Sequence, residues 1–261
     1  MNGVCRASVA LHVAVLAGVA ARPRHWRWGV AALALDHAML GAAGMAPRSQ
    51  WLGPNLTRLA DSEREVALSF DDGPDPDVTP RVLDLLDQAG ARASFFCIGQ
   101  RARAYPELVR AIADRGHHVE NHSEHHLYRF AALPPAALRR EVMAAQEILT
   151  ALSGQAPAYF RAPMGLRSPL LQPVLEGLEL QLASWTRRAL DGISADAPSA
   201  LRRLSNGLAA GDVLLMHDGN CARDAAGRPV VLTLLPALLD RLQDLALVGV
   251  SLPRPLPGPV R

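Results

Sequence analysis

Two imidazoles stand four residues apart in Asn121-His122-Ser123-Glu124-His125-His126, the spacing of a metal-ligand pair. On a helical turn, side chains at i and i+4 share a face, so His122 and His126 could close on one cation. The third ligand is expected upstream in Ser69-Phe70-Asp71-Asp72-Gly73-Pro74, where an apolar run from Val66 stops at two carboxylates before a Gly-Pro breaker. Asp72 with His122 and His126 makes a two-histidine, one-carboxylate set with coordination positions left for water and substrate. Such a centre lowers the pKa of bound water towards about 7 and polarises a carbonyl, the chemistry of amide or ester hydrolysis. Asp71 is placed to take the water's proton. His217, which ends the apolar run Leu214-Leu215-Met216, is the natural acid for the leaving nitrogen. His117, His118 and His125 are expected to be structural. His12, His25 and His37 lie in the N-terminal region and are assigned no ligand role.

These groups need a scaffold that gathers them. From Val66 onward short apolar runs alternate with amphipathic segments, the pattern of a parallel sheet wrapped in helices. Strands are expected at 66–70, 93–98, 118–121, 158–161, 180–185, 213–216 and 247–251. Between them, Thr79-Pro80 reads as an N-cap and first helical position, Tyr105-Pro106 opens another helix, 138–152 is a long amphipathic pattern closed by Ser153-Gly154, and 229–245 carries leucines at helical spacing. The fold class expected is α/β: a distorted (β/α) barrel of about seven parallel strands, preceded by an N-terminal apolar helical segment. Asp71-Asp72, His122, Arg161 and His217 each follow directly on an expected strand, and the C-terminal strand ends of a parallel barrel converge on one mouth.

The 261 residues suffice for one large catalytic domain. A net charge of +2, with no basic run interleaved with aromatics, argues against nucleic acid as a partner. Every basic residue is Arg, which reads as codon bias. Cys5, Cys97 and Cys221 have no CxxC spacing and form neither a disulfide framework nor a thiolate zinc site; Cys97 falls in an expected core strand. Residues 1–57 differ from the rest: 7–21 and 30–46 are apolar, separated by the basic and aromatic Arg22-Pro23-Arg24-His25-Trp26-Arg27-Trp28. They are read as a membrane anchor of one or two helices, with a cleaved signal peptide or a pair of soluble Ala-rich helices as rivals. The catalytic domain is then 58–261. If both segments span, the arginines hold their loop in the cytoplasm and the catalytic domain faces the periplasm of a bacterial inner membrane; a secreted or cytoplasmic location is the alternative. The sequence carries no signal for an oligomeric state.

The motifs resemble those of the polysaccharide deacetylases of carbohydrate esterase family 4, related to the nodulation chitooligosaccharide deacetylases, over roughly residues 64 to 252. The family's T-F-D-D-G-P appears as Ser69 to Pro74, which implies Asp71 as base and Asp72 as metal ligand. H-[S/T]-x-x-H is represented by His122 to His126, and R-x-P-Y by Arg161-Ala162-Pro163-Met164, in which Arg161 would orient Asp71. Trp185 and Asp191 have the spacing of the fourth motif, and Asp191 would tune the catalytic His217, but Gly192 stands where a Trp is usual. L-x-H is Leu215-Met216-His217. By resemblance the cofactor is one divalent ion, zinc first, with cobalt, nickel or manganese as alternatives. Met164, through its backbone N–H as oxyanion donor, Trp185 and Leu215 belong to the substrate side. The implied activity is removal of an N-acyl group, most simply acetyl, from an amino sugar in a glycan. A deacylase or deformylase of a lipid-linked sugar is the runner-up, and a non-catalytic carbohydrate-binding protein the further alternative. The missing phenol and indole imply an altered sugar groove. Arg167, Arg187 and Arg188 are candidates to meet an anionic substrate or to be solvated charge.

Overall fold

A computed structural model of the chain describes residues 3–60 and 62–254. The expected boundaries at 1–57 and 58–261 therefore include residues 1–2, 61 and 255–261, which lie outside the described residues. Two helices, α1 (Gly3–Ala21) and α2 (Trp26–Met45), form a hairpin joined by a short turn at Pro23–His25. The strands are β1 (Glu65–Asp71), β2 (Ala93–Cys97), β3 (His118–Asn121), β4 (Tyr159–Phe160), β5 (Gln181–Leu182), β6 (Arg187–Arg188), β7 (Val213–His217) and β8 (Val248–Val250). The helices α3 (Thr79–Gln88), α4 (Gly99–Ala104), α5 (Pro106–Asp114), α6 (Pro135–Ser153), α7 (Leu171–Glu176), α8 (Ala197–Ser205) and α9 (Val231–Asp244) connect them.

All strand pairs are parallel, in the order β5-β4-β3-β2-β1-β7-β6, with β8 added beside the start of β1. The strand expected at 180–185 is shorter, Gln181–Leu182, and a second short strand follows it at Arg187–Arg188. The first pairs with β4 and the second with β7, so one stretch of chain spans both ends of the sheet path and gives the distorted barrel.

Strand parity divides the core. Val66, Leu68 and Phe70 pack outward with Leu83, Leu86, Phe95, Leu234 and Leu238 under the helices. Ala67, on the opposite face, packs inward with Phe96, Trp185, Val213 and Leu215. Ser69 and Asp71 share Ala67's parity, so the same alternation that builds the core turns their polar groups into the barrel. Cys97 is fully buried, as expected.

The helix expectations hold with one correction. Gly154 ends α6 in the left-handed conformation at φ 73°. Thr79 does not cap α3; its hydroxyl donates to the buried Asp218 Oδ2 at 2.6 Å and accepts from the Asp75 amide, and so serves groups outside the helix.

Candidate active site

The spacing of His122 and His126 is that of a helical turn, but no helix forms there. Both lie in the loop after β3, which folds back through left-handed residues, Ser123 at φ 65° and His126 at φ 50°. Asn121 Oδ1 accepts from the Ser123 amide and Ser123 Oγ from the His126 amide, so the Asn and Ser side chains do the holding that a helix would have done. The imidazoles still converge, with ring centroids 4.9 Å apart. Asp72 likewise leaves strand parity at φ 71°, which lets two consecutive carboxylates face one mouth.

Asp72 Oδ1 lies 3.2 Å from His122 Nε2 and 3.2 Å from His126 Nε2. This oxygen is buried and makes no well-formed hydrogen bond. A buried carboxylate oxygen facing two ring nitrogens is the donor set of a divalent metal, and His122 is oriented from behind by Nδ1 at 2.9 Å from Arg161 O. Burial opposes the charge on Asp72, yet His122, with His126 and His217 behind it, holds its carboxyl below the usual range.

Asp71 sits 3.8 Å from His122 Nε2 through Oδ2, while Oδ1 accepts from Arg161 Nη1 at 2.6 Å. Arg161, only 1% exposed, also donates to Ser69 Oγ and to the carbonyls of Ala183 and Ser184, with its guanidinium 3.8 Å above the Phe96 ring. A buried arginine with its donors so fully engaged is a rigid counter-charge for Asp71. Across the mouth, His217 Nδ1 lies 2.7 Å from Asp191 Oδ1, and Asp191 Oδ2 accepts the His217 amide at 2.8 Å. Burial disfavours the imidazolium, but Asp191, helped by Asp71 and Asp72, outweighs it and raises the His217 pKa to about 9.

Asp71, Asp72, His122, His126 and His217 line one cavity of about 220 Å³ together with Met164, Gly165, Trp185 and Leu215. Met164 is half-exposed in a left-handed conformation at φ 59°, whereas Trp185 and Leu215 are buried. Gly165 permits the close approach of Trp185: a Cβ there would stand 2.6 Å from the indole. Gly192 faces the His217 ring. Arg161 and Asp191 stand behind this lining and reach the mouth through their bonds to Asp71 and His217.

Sequence reasoning missed two contributors. Asn220, three residues past His217, donates to Asp72 Oδ2 at 3.1 Å and accepts from Arg101 through Oδ1, which orients the carboxylate. Tyr128, two past His126, stands 84% exposed at the rim, an aromatic face in a groove expected to lack one. Closeness to the histidines was the only available signal for either. Of the three arginines considered for anion contact, two are committed elsewhere. Arg167 donates to the carbonyls of Ala43, Ala46 and Ser49, and Arg187 pairs with Asp212 at 2.6 Å. Arg188 lines the cavity, its guanidinium 5.6 Å from the Trp185 ring centroid and its buried Nε without a hydrogen-bond partner. His117, His118 and His125 bond to the Ala93 amide, the Leu252 carbonyl and Glu141 respectively, consistent with structural roles.

Residues 58–183 match the family model described as polysaccharide deacetylase. A peptidoglycan-N-acetylglucosamine deacetylase of Bacillus cereus is 33% identical over 159 residues, 60% of this chain; the chain spans 56% of that relative's length. A chitooligosaccharide deacetylase of Bradyrhizobium sp. is 33% identical over 194 residues, covering 69% of this chain and 85% of the relative. Among solved structures, a family 4 carbohydrate esterase from Streptomyces lividans in complex with acetate superposes with a TM-score of 0.65 at 31% identity, covering 72% of this chain and 92% of the other. Asp71, Asp72, His122, His126, Arg161 and Met164 fall inside the matched span, while Trp185, Asp191, Leu215 and His217 lie beyond it and join the site through the fold.

Proposed function

Because this chain belongs to the polysaccharide deacetylase family, we propose that it hydrolyses the N-acetyl group of an amino sugar within a glycan, using Asp72, His122 and His126 to hold a divalent ion, zinc first. One observation carries the reading: the orphaned Asp72 oxygen between two imidazoles lies in the same small cavity as an Arg-held carboxylate and an Asp-held histidine. A bound ion supplies Lewis acidity, polarising the acyl carbonyl and lowering the pKa of water. Asp71, kept in place by Arg161, takes the proton of the attacking water. His217, kept protonated and oriented by Asp191, delivers a proton to the leaving nitrogen. The Met164 backbone N–H is the proposed oxyanion donor, and Trp185 and Leu215 bound the acyl group. Residues 58–261 are the proposed catalytic unit, and α1 and α2 a membrane anchor or signal segment.

The test is acetate release from chitooligosaccharides and peptidoglycan by zinc-reconstituted protein. Asp71→Asn and His217→Ala should each lower turnover by about a hundredfold or more with metal retained. His126→Ala should lose the metal by elemental analysis. Near-normal rates in both of the first two variants, or undiminished metal in the third, would overturn the assignment. Arg188 at the cavity wall favours a second reading of the substrate, a sugar carrying an anionic group such as the phosphate of a lipid-linked glycan.

A further inference from the structure

We infer that the helical hairpin carries a second divalent-metal site, separate from the barrel mouth and built from His12 of α1 with Asp36 and His37 of α2. The two helices are apolar almost throughout; apart from Arg6 near the start of α1 and Arg27 at the start of α2, these three are their only charged or imidazole side chains. Antiparallel packing brings all three to one level, where one ligand atom from each lies within 4.8 Å of the other two. The His12 and His37 rings meet edge to face, with centroids 5.2 Å apart.

The donors are also held from behind. His12 Nδ1 is 2.8 Å from the Ser8 carbonyl oxygen. A carbonyl can only accept, so the proton sits on Nδ1 and the Nε2 lone pair is left for a ligand. Ser8 Oγ donates to Asp36 Oδ2 at 2.6 Å, which fixes that carboxylate and leaves its second oxygen. Histidine bonded through one nitrogen to a carbonyl, and a carboxylate bonded to a hydroxyl, are the supports that orient metal ligands. Tetrahedral coordination needs donors about 3.3 Å apart. The exposed His37 has the freedom to close the remaining gap. Two nitrogens and one oxygen suit a borderline transition ion, zinc, cobalt or nickel, rather than magnesium or calcium, which take oxygen ligands. Ser8 and His37 also line the 610 Å³ groove between the hairpin and α6 and α7, which gives an ion a route in. Neither histidine carried a sequence signal, because they are 25 residues apart on different helices and only the hairpin pairs them.

The experiment uses the full chain in detergent, stripped with a chelator and reloaded with Co²⁺, with bound cobalt per chain measured by elemental analysis alongside the ligand-field absorption. Wild type should bind two ions. His12→Ala and His37→Ala should each bind one and keep deacetylase activity, and His126→Ala should bind one and lose activity. Asp36→Asn retains a partner for Ser8 and the packing of the hairpin, and should bind the second ion at least about tenfold more weakly. One ion in wild type, the same number in His12→Ala and none in His126→Ala would overturn the hairpin site while sparing the catalytic one. Two ions retained in His126→Ala would instead count against the catalytic assignment.

Discussion

His217 and Arg188 show how single side chains at the mouth differ in what holds them. His217 takes both a ring and a backbone contact from Asp191, and its pKa stands at about 9, above the ordinary value near 6.5. The stabilisation of the folded state by this pair is fully present below about pH 6.5 and is lost as pH rises through about 9. As a general acid, His217 is competent over the same range, so the alkaline limb of the rate profile should fall near pH 9. Asp191→Asn should move that limb down towards about 6.5; a limb that stays in place in this variant would remove His217 as the titrating acid. Arg188 has no carboxylate partner among the described residues. Replacing it by Gln should raise KM for phosphate- or carboxylate-bearing amino sugars about tenfold or more while leaving neutral chitooligosaccharides unchanged, as expected for loss of a charge-assisted hydrogen bond. Equal effects on neutral and anionic substrates would assign Arg188 to packing on Trp185.

At the level of elements, the hairpin and the mouth share a joint. The Arg167 guanidinium donates at 2.7 Å to Ala43 O and Ala46 O and at 2.8 Å to Ser49 O, and its amide donates to Gly44 O, so the C-terminal end of α2 is tied to the loop that follows Met164. A Cβ on Gly44 would stand 2.5 Å from the Arg167 carbonyl, so only glycine permits this approach. Carbonyls at a helix end need partners, and here the partner is one buried cation. Arg167→Ala should accelerate amide exchange across residues 43–55 by about tenfold or more, since each such bond contributes about 1.5–3 kcal/mol, while the barrel strands exchange as before. Equal acceleration everywhere would mean that Arg167 supports the whole fold rather than this joint. None of this was legible in the sequence, where Arg167 read as surface charge or an anion contact, because its acceptors lie about 120 residues away in a different segment.

For the molecule as a whole, α1 is the one described helix long and apolar enough to cross a membrane. The base of the hairpin touches the barrel through Cys5 and Arg167, leaving the turn with Arg22 and Arg24 at its far end. If both helices span, protease should reach the catalytic region in spheroplasts while the arginine turn stays protected inside. A full-length chain recovered in the soluble cytoplasmic fraction would refute the anchor and weaken the lipid-linked substrate with it. The barrel class, the strands carrying Asp71, His122, Arg161 and His217, and their common mouth were legible in the sequence, because buried parallel strands are continuous apolar runs and the chemistry sits at their ends. The fold alone decided what depends on closure. The left-handed loop that joins His122 to His126 replaced the expected helix turn, since its Asn and Ser side chains satisfy the backbone instead. The strand expected at 180–185 shortened to Gln181–Leu182 and a second one at Arg187–Arg188 reaches the other end of the sheet, and Asn220, Arg167 and the His12–Asp36–His37 cluster acquired partners that only packing brings within reach. Sequence periodicity reports which face of an element is buried; which distant atoms that face meets is decided by the tertiary structure.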